Sequence, residues 1–298
     1  MATTTDYLDP TVVSRLSRLD LVARLVVEGF ITGLHQSPYH GFSVEFSEYR
    51  QYMPGDALRD LDWKVYGKTD RLYVKRYEEE TNLKAHLLLD ASGSMAYGSG
   101  ETTKYRYASH LSAALAYLML KQRDAVGLAA FDQGIRTLIP PRSASSHLTA
   151  VLRALSATEP DGADTDLSTT FHQLAEQLNR RGLVVVLSDL LDDPEQLLNG
   201  LKHFRHRNHE VIVFHILDPR ERDLRFDRET IFVDLETGSR VSTEPWQIAG
   251  EYRAHVDELT ERFRRECREH QIDYVLLDTS TSFDVALFGY LAKRRRLL

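Results

Sequence analysis

From residue 83 onward the chain alternates between two hydrophobic rhythms. Short apolar runs occupy 83–90, 125–131, 183–188, 210–217 and 274–278, and between them apolar side chains recur every three or four positions. Runs bounded by turn residues read as strands buried on both faces, and the longer spacing reads as helices with one apolar stripe. The pattern predicts a strand at 83–90, a helix at 103–122, strands at 125–131 and 135–139, and helices at 145–155 and 167–179. A strand at 183–188, a helix at 194–206, a strand at 210–217, a long helix at 247–270, a strand at 274–278 and a last helix at 283–293 follow. Asp132-Gln133-Gly134 joins the second and third strands as a hairpin. Strands interleaved with helices predict an α/β fold, a doubly wound, mainly parallel six-stranded sheet flanked by helices.

The first 80 residues follow another pattern. Val13, Leu16, Leu19, Leu21, Leu25 and Val26 predict an N-terminal helix over 10–34, and 29–41 is broken by glycine, proline and histidine. Residues 41–80 alternate apolar and polar positions around the turn signal Pro54-Gly55-Asp56, then turn basic and aromatic before Glu78-Glu79-Glu80. Short strands or irregular hairpins are expected there. The chain thus divides into an N-terminal helix with a small β-rich extension (1–80) and a sheet domain (81–298). Residues 218–246 form a charged, irregular insertion with a hairpin signal at Thr237-Gly238.

Composition narrows the function. In 298 residues, a hydrophobic fraction of 42% and a charged fraction of 27% suit a globular core. The net charge of −7 argues against a nucleic-acid surface spread over the protein. The cations of 41–80 are matched by as many acids, so they read as internal ion pairs. Cys267 is the single cysteine, which excludes an internal disulfide and a cysteine-built zinc cluster and suits a reducing compartment. No apolar run approaches the roughly 20 residues of a membrane span. The first residues lack the basic-then-apolar pattern of a leader, so a cytoplasmic location is expected.

The candidate chemistry sits where apolar runs end. Leu87-Leu88-Leu89 runs into Asp90, with Ser92 and Ser94 at alternate positions. A carboxylate and two hydroxyls on one strand-end loop are hard oxygen donors that suit Mg²⁺ or Mn²⁺. The same residues also serve simply to cap free backbone N–H groups in a turn. Open parallel sheets bind ligands at the carboxyl ends of strands, beside the point where strand order reverses. A second strand ends in the same way, Val184-Val185-Val186-Leu187-Ser188-Asp189, and the loop 161–166 ahead of it carries Thr165 among Asp164, Asp166 and nearby Ser168.

Together these pieces resemble the metal-ion-dependent adhesion site of von Willebrand factor A domains, with Asp90, Ser92, Ser94, Thr165 and Asp189 in the ligand positions. The antiparallel third strand suits that fold as well. Leu190 stands where many members of that family carry glycine. The segment 42–80, with Glu-Phe-Ser-Glu-Tyr-Arg-Gln-Tyr-Met-Pro-Gly-Asp, Arg-Asp-Leu-Asp-Trp-Lys and Arg-Leu-Tyr-Val-Lys-Arg-Tyr, is similar to the bacterial and archaeal DUF58 family, which places such a segment before an A-type domain. These resemblances imply a non-enzymatic, Mg²⁺- or Mn²⁺-dependent protein-binding module, the ion taking a carboxylate from a partner. The implied partner is a MoxR-type AAA+ ATPase or its client, because DUF58 genes commonly lie beside such ATPases.

Two other readings remain: a metal-independent scaffold, and a Mg²⁺-dependent phosphoester hydrolase. The hydrolase is disfavoured because Ser92 stands where phosphatases carry a second carboxylate, and because residues 98–104 lack phosphate-loop spacing. Arg59, Asp62 and Trp63 are candidate partner contacts, or else an internal turn salt-bridged around Trp63. His203, His206 and His209 read as a solvated helix face rather than a zinc site, and Arg294-Arg295-Arg296 as a solvated basic end.

Overall fold

A computed structural model describes residues 9–13, 18–36, 49–51, 66–67, 73–75, 83–160, 167–178, 180–235 and 237–297. The N-terminal helix is two pieces, α1 (Pro10–Val13) and α2 (Leu19–Gln36). Arg18, between them, is not helical and pairs with Asp20 in the first turn of α2. In the expected β-rich extension, β1 (Tyr49–Gln51) pairs antiparallel with β2 (Tyr73–Lys75).

The sheet begins with β3 (Lys84–Asp90), followed by α3 (Lys104–Lys121), β4 (Ala125–Phe131) and β5 (Ile135–Arg142). Next come α4 (His147–Ala157), α5 (Leu167–Gln177), β6 (Leu183–Ser188), α6 (Pro194–His206) and β7 (Glu210–Leu217). The insertion is structured: a short helix α7 (Pro219–Asp223) and a hairpin, β8 (Thr230–Val233) and β9 (Arg240–Thr243), turning at Thr237-Gly238. The long helix α8 (Pro245–Glu269), β10 (Asp273–Asp278) and α9 (Phe283–Leu297) complete the chain.

Across the sheet the order is β5-β4-β3-β6-β7-β10, all parallel except β5, which runs antiparallel beside β4. The chain winds outward from β3 to one edge, returns, and winds outward from β6 to the other. The reversal lies between β3 and β6, the two strands whose ends carry Asp90 and Ser188-Asp189.

Strand alternation builds the two sides of the core. Leu87 and Leu89 pack with Leu111, Val151 and Phe283 on one side, while Leu88 packs with Phe171, Leu197 and Phe263 on the other. Helix α2 belongs to the first side: Val22, Val26 and Phe30 are buried in it, and Phe30 meets Phe288 edge-on at 4.9 Å. Edge strand β5 comes so close at Gly127 that a Cβ there would lie 2.7 Å from the Ile139 carbonyl oxygen, and the register shifts at that point. Among the described residues no helix is long and apolar enough to cross a membrane.

Several expectations need correction. Strand β5 runs past Ile139 through Pro140 and Pro141, which an edge strand tolerates because one row of its backbone groups is unpaired. Helix α9 continues through the arginines: Arg294 binds buried Asp124 at 2.8 Å and is fastened rather than solvated, while Arg296 stays exposed and binds Asp273 at 2.9 Å. His206 is exposed as expected, but His209 is buried against the Leu178 carbonyl oxygen and His203 faces His172. Helix α6 ends at His206, so His209 lies beyond it and leads into β7 rather than sharing its face.

Two buried histidines make the fold acid-sensitive. Burial pushes His86 and His110 down to about 4, far below the unfolded value near 6.5. Unfolding therefore takes up protons between these values, and stability falls as pH falls through that window. Urea unfolding is expected to show a loss on the order of 2 kcal/mol per histidine between pH 7 and 5. Replacing His110 with Gln should remove one histidine's share of that loss, about 2 kcal/mol. An unchanged slope would place the proton uptake elsewhere.

Candidate metal centre

Asp90 ends β3 and is fully buried. Its Oδ1 accepts the Ser92 backbone N–H at 2.9 Å, which folds the loop into a one-turn 3₁₀ helix over Gly93–Ala96. Its Oδ2 accepts the Ser188 hydroxyl, which in turn accepts the Leu190 N–H at 2.9 Å. Ser188 thus couples the end of β6 to the end of β3. The turn turns the two serines side by side, with Ser92 Oγ and Ser94 Oγ 3.1 Å apart. Ser92 is buried, while Ser94 is half-exposed.

Asp189 follows β6, and Leu190 beyond it adopts a left-handed backbone with φ 52°. That conformation suits glycine and costs a leucine on the order of 1–3 kcal/mol. The Leu190 side chain is 2% exposed and sits in the core beside Leu197, so its burial offsets the strain. The Asp189 carbonyl accepts His215 Nε2–H at 2.8 Å, and His215 Nδ1 accepts the Tyr274 hydroxyl at 2.6 Å. Burial pushes His215 down to about 4, so it is neutral and the tautomer is set by these partners.

The central group is one the sequence reading passed over. Lys104, in the first turn of α3, is wholly buried and donates to Asp189 Oδ2 at 2.7 Å and to Glu221 Oε1 at 2.6 Å. A cation at a helix N-terminus opposes the helix dipole. Burial also works against its charge, but the two carboxylates outweigh this and hold its pKa above the ordinary lysine range. Glu221 reaches the site from α7, where it forms a reciprocal capping box with Asp218. Asp218 also accepts the Ser99 N–H at 2.8 Å, tying the loop after β3 to the end of β7.

Charge does not balance around this ammonium. Asp189 and Glu221 share one Lys104, and Asp90 is pushed up to about 7, chiefly by burial and then by the neighbouring Asp189. The two hydroxyls hydrogen-bond to each other at 3.1 Å, a spacing also compatible with adjacent oxygens on Mg²⁺, which lie about 3.0 Å apart when bound at about 2.1 Å. Asp90 spends an oxygen on each of two hydrogen bonds and stands behind the serines, while Asp189 is already engaged by Lys104. Among the described residues no group of three or more His, Cys, Asp or Glu side chains is placed to hold a metal ion.

Four of the five expected ligand positions, Asp90, Ser92, Ser94 and Asp189, therefore converge on the strand-order reversal. Thr165 lies outside the described residues, as do Arg59, Asp62 and Trp63. Helix α5 does begin beside the site's far loop, where the Leu167 N–H reaches Asp192 at 3.1 Å. Ser188, His215, Asp218 and Glu221 were missed together with Lys104. Asp218 had a readable signal, since it closes the apolar run of β7 as Asp90 closes that of β3.

The chain as a whole has similar proteins. The family model described as "Protein of unknown function DUF58" matches residues 48–266. Uncharacterized protein Rv1480 of Mycobacterium tuberculosis is 28% identical over 235 residues, covering 78% of this chain and 74% of that protein. Uncharacterized protein YeaD of Bacillus subtilis is 26% identical over 167 residues, covering 56% of this chain and 39% of YeaD. The crystal structure of the conserved hypothetical protein BatB from Bacteroides thetaiotaomicron matches with TM-score 0.51 at 14% identity, over 72% of this chain and 100% of that one. At that identity the likeness is one of fold.

Lys104→Met should leave Asp189 and Glu221 buried without their counter-charge. The expected loss is about 3–5 kcal/mol of unfolding free energy at pH 7, measured in urea. A loss below about 1 kcal/mol would show that the ammonium does not hold these loops together.

Proposed function

The chain belongs to the DUF58 family, and on that premise we propose that it is a protein-binding module whose Asp90 loop holds Mg²⁺ or Mn²⁺ and offers it to a partner's carboxylate. The observation that carries this reading is the Ser92–Ser94 hydroxyl pair, 3.1 Å apart at the strand-order reversal, backed by a buried carboxylate with both oxygens already committed. Ser92 and Ser94 would hold the ion, and Asp90 would fix the loop that presents them. Thr165 and Asp189 complete the set by resemblance. A bound divalent ion supplies an electrophilic position for an anionic oxygen, because uncharged hydroxyls leave most of its charge unneutralised.

Binding rather than turnover is the better reading of this site. Asp90 has no free oxygen for nucleophilic attack, and a serine occupies the position two residues on. The partner we propose is a MoxR-type AAA+ ATPase or a protein it remodels. That choice rests on the family resemblance alone.

A second reading has its own support. Lys104 already gives Asp189 a counter-charge, so the site functions as a metal-independent scaffold if that ammonium is its only cation. Calorimetric titration with Mg²⁺ and Mn²⁺ separates the two. One-site binding is expected for the wild type, weakened about 10–100-fold or more in Asp90→Ala, which removes the support behind the serines, and lost in Ser94→Ala, which removes a direct oxygen. Failure of the wild type to bind either ion would favour the scaffold.

A further inference from the structure

A groove of about 570 Å³ opens beside Ser94. Its walls are Tyr97 and Leu191 from the strand-end loops, Leu224 after α7, Phe232 and Val241 from the β8–β9 hairpin, and Ile248 from the start of α8. Phe232 is paired with Val241 across the hairpin, so both stand on the face that lines the groove. Val241 is nevertheless 62% exposed, and Leu191, Val233 and Leu235 on the same walls are 50%, 47% and 45% exposed. A rim of large apolar side chains left in water marks an interaction surface. A groove of this size takes several side chains of a partner.

Charge identifies the partner's chemistry. Of the two carboxylates on the walls, Glu221 is paired with Lys104 and accepts the Asp218 N–H, while Asp234 accepts the Thr237 hydroxyl and keeps its charge at the hairpin turn. The cation on the wall is differently placed. The Arg220 guanidinium lies over the Phe226 ring at 5.1 Å and has no ion pair among the described residues. The groove therefore offers apolar surface, an uncommitted guanidinium and, at its inner end, the Ser94 hydroxyl. Where Ser94 and Arg220 lie, that surface complements a carboxylate carried on an apolar segment.

We infer that this groove receives a partner segment in which an aspartate or glutamate is flanked by large apolar side chains, the carboxylate set at Ser94 and Arg220 and the apolar groups between the hairpin and α8. The inference builds on the carboxylate-binding reading of the Asp90 loop and adds the neighbouring residues that the loop's partner must carry.

The test is selection of a random dodecapeptide display library on the full chain in Mg²⁺ buffer, followed by fluorescence anisotropy of labelled synthetic versions of the enriched peptides. Enrichment of peptides pairing an acid with large apolar residues is expected. Their affinity should drop about tenfold or more in Val241→Glu and in Arg220→Glu. Both side chains are exposed, and circular dichroism and melting would verify that the variants fold. Absence of enrichment over an unrelated protein, enriched peptides without acids, or binding unchanged in Val241→Glu would overturn the inference. So would self-association in sedimentation that Val241→Glu abolishes, since the occupant would then be a second copy. The two readings fail separately. Loss of binding in Ser94→Ala but not in Val241→Glu keeps the ion-site reading and removes the groove. The opposite pattern keeps the groove and removes the ion.

Discussion

An ammonium group shut away from water is the constraint on which this sheet end depends. Lys104 belongs to the helix leaving β3, Asp189 to the loop leaving β6 and Glu221 to the helix leaving β7, so one side chain fastens three connections. Each of the three groups is costly to bury alone, and each is tolerated only because the others are present. The hydrogen bonds around them point the same way: Ser188 to Asp90, Ser99 to Asp218 and His215 to Asp189 each cross from one strand end to another. The hydroxyl pair of Ser92 and Ser94 is thereby held on a framework whose parts cannot move independently.

That framework is a consequence of winding order. A chain that builds outward from β3 and then outward from β6 leaves a gap between the connections that depart on opposite faces. Polar residues at those two strand ends face a common space without any further device. The hairpin and α7, inserted after β7, then close one side of this space and supply Glu221 and the apolar wall.

The parallel strands were legible because each is built on a run of apolar residues, and such runs have few alternatives to a doubly covered sheet. Asp90, Ser92, Ser94 and Asp189 were legible for the same reason, as the first polar residues after those runs. Lys104 was not, because nothing local distinguishes a lysine that starts a helix in solvent from one aimed at two carboxylates 85 and 117 residues away. Glu221 shared that fate inside a charged stretch that read as irregular. His209 and Arg294 were misjudged because burial there is decided by what lands on them, the Leu178 carbonyl and Asp124, and not by their neighbours in sequence. Leu190 shows the converse, a residue that breaks a local backbone preference because a distant core has room for its side chain.

Helix α2 carries a lesson about where this protein can be divided. The stretch shared with the family runs from residue 48 to 266, which leaves out α2, β10 and α9. Yet α2 packs on α3 and α4 and meets α9, with Phe30 and Phe288 in direct contact, and β10 completes the hydrogen-bonding of β7. A fragment trimmed to the shared stretch would lack Val22, Val26 and Phe283 and turn their buried counterparts, such as Leu111, toward water. The unit that homology outlines is thus smaller than the unit that can keep itself dry.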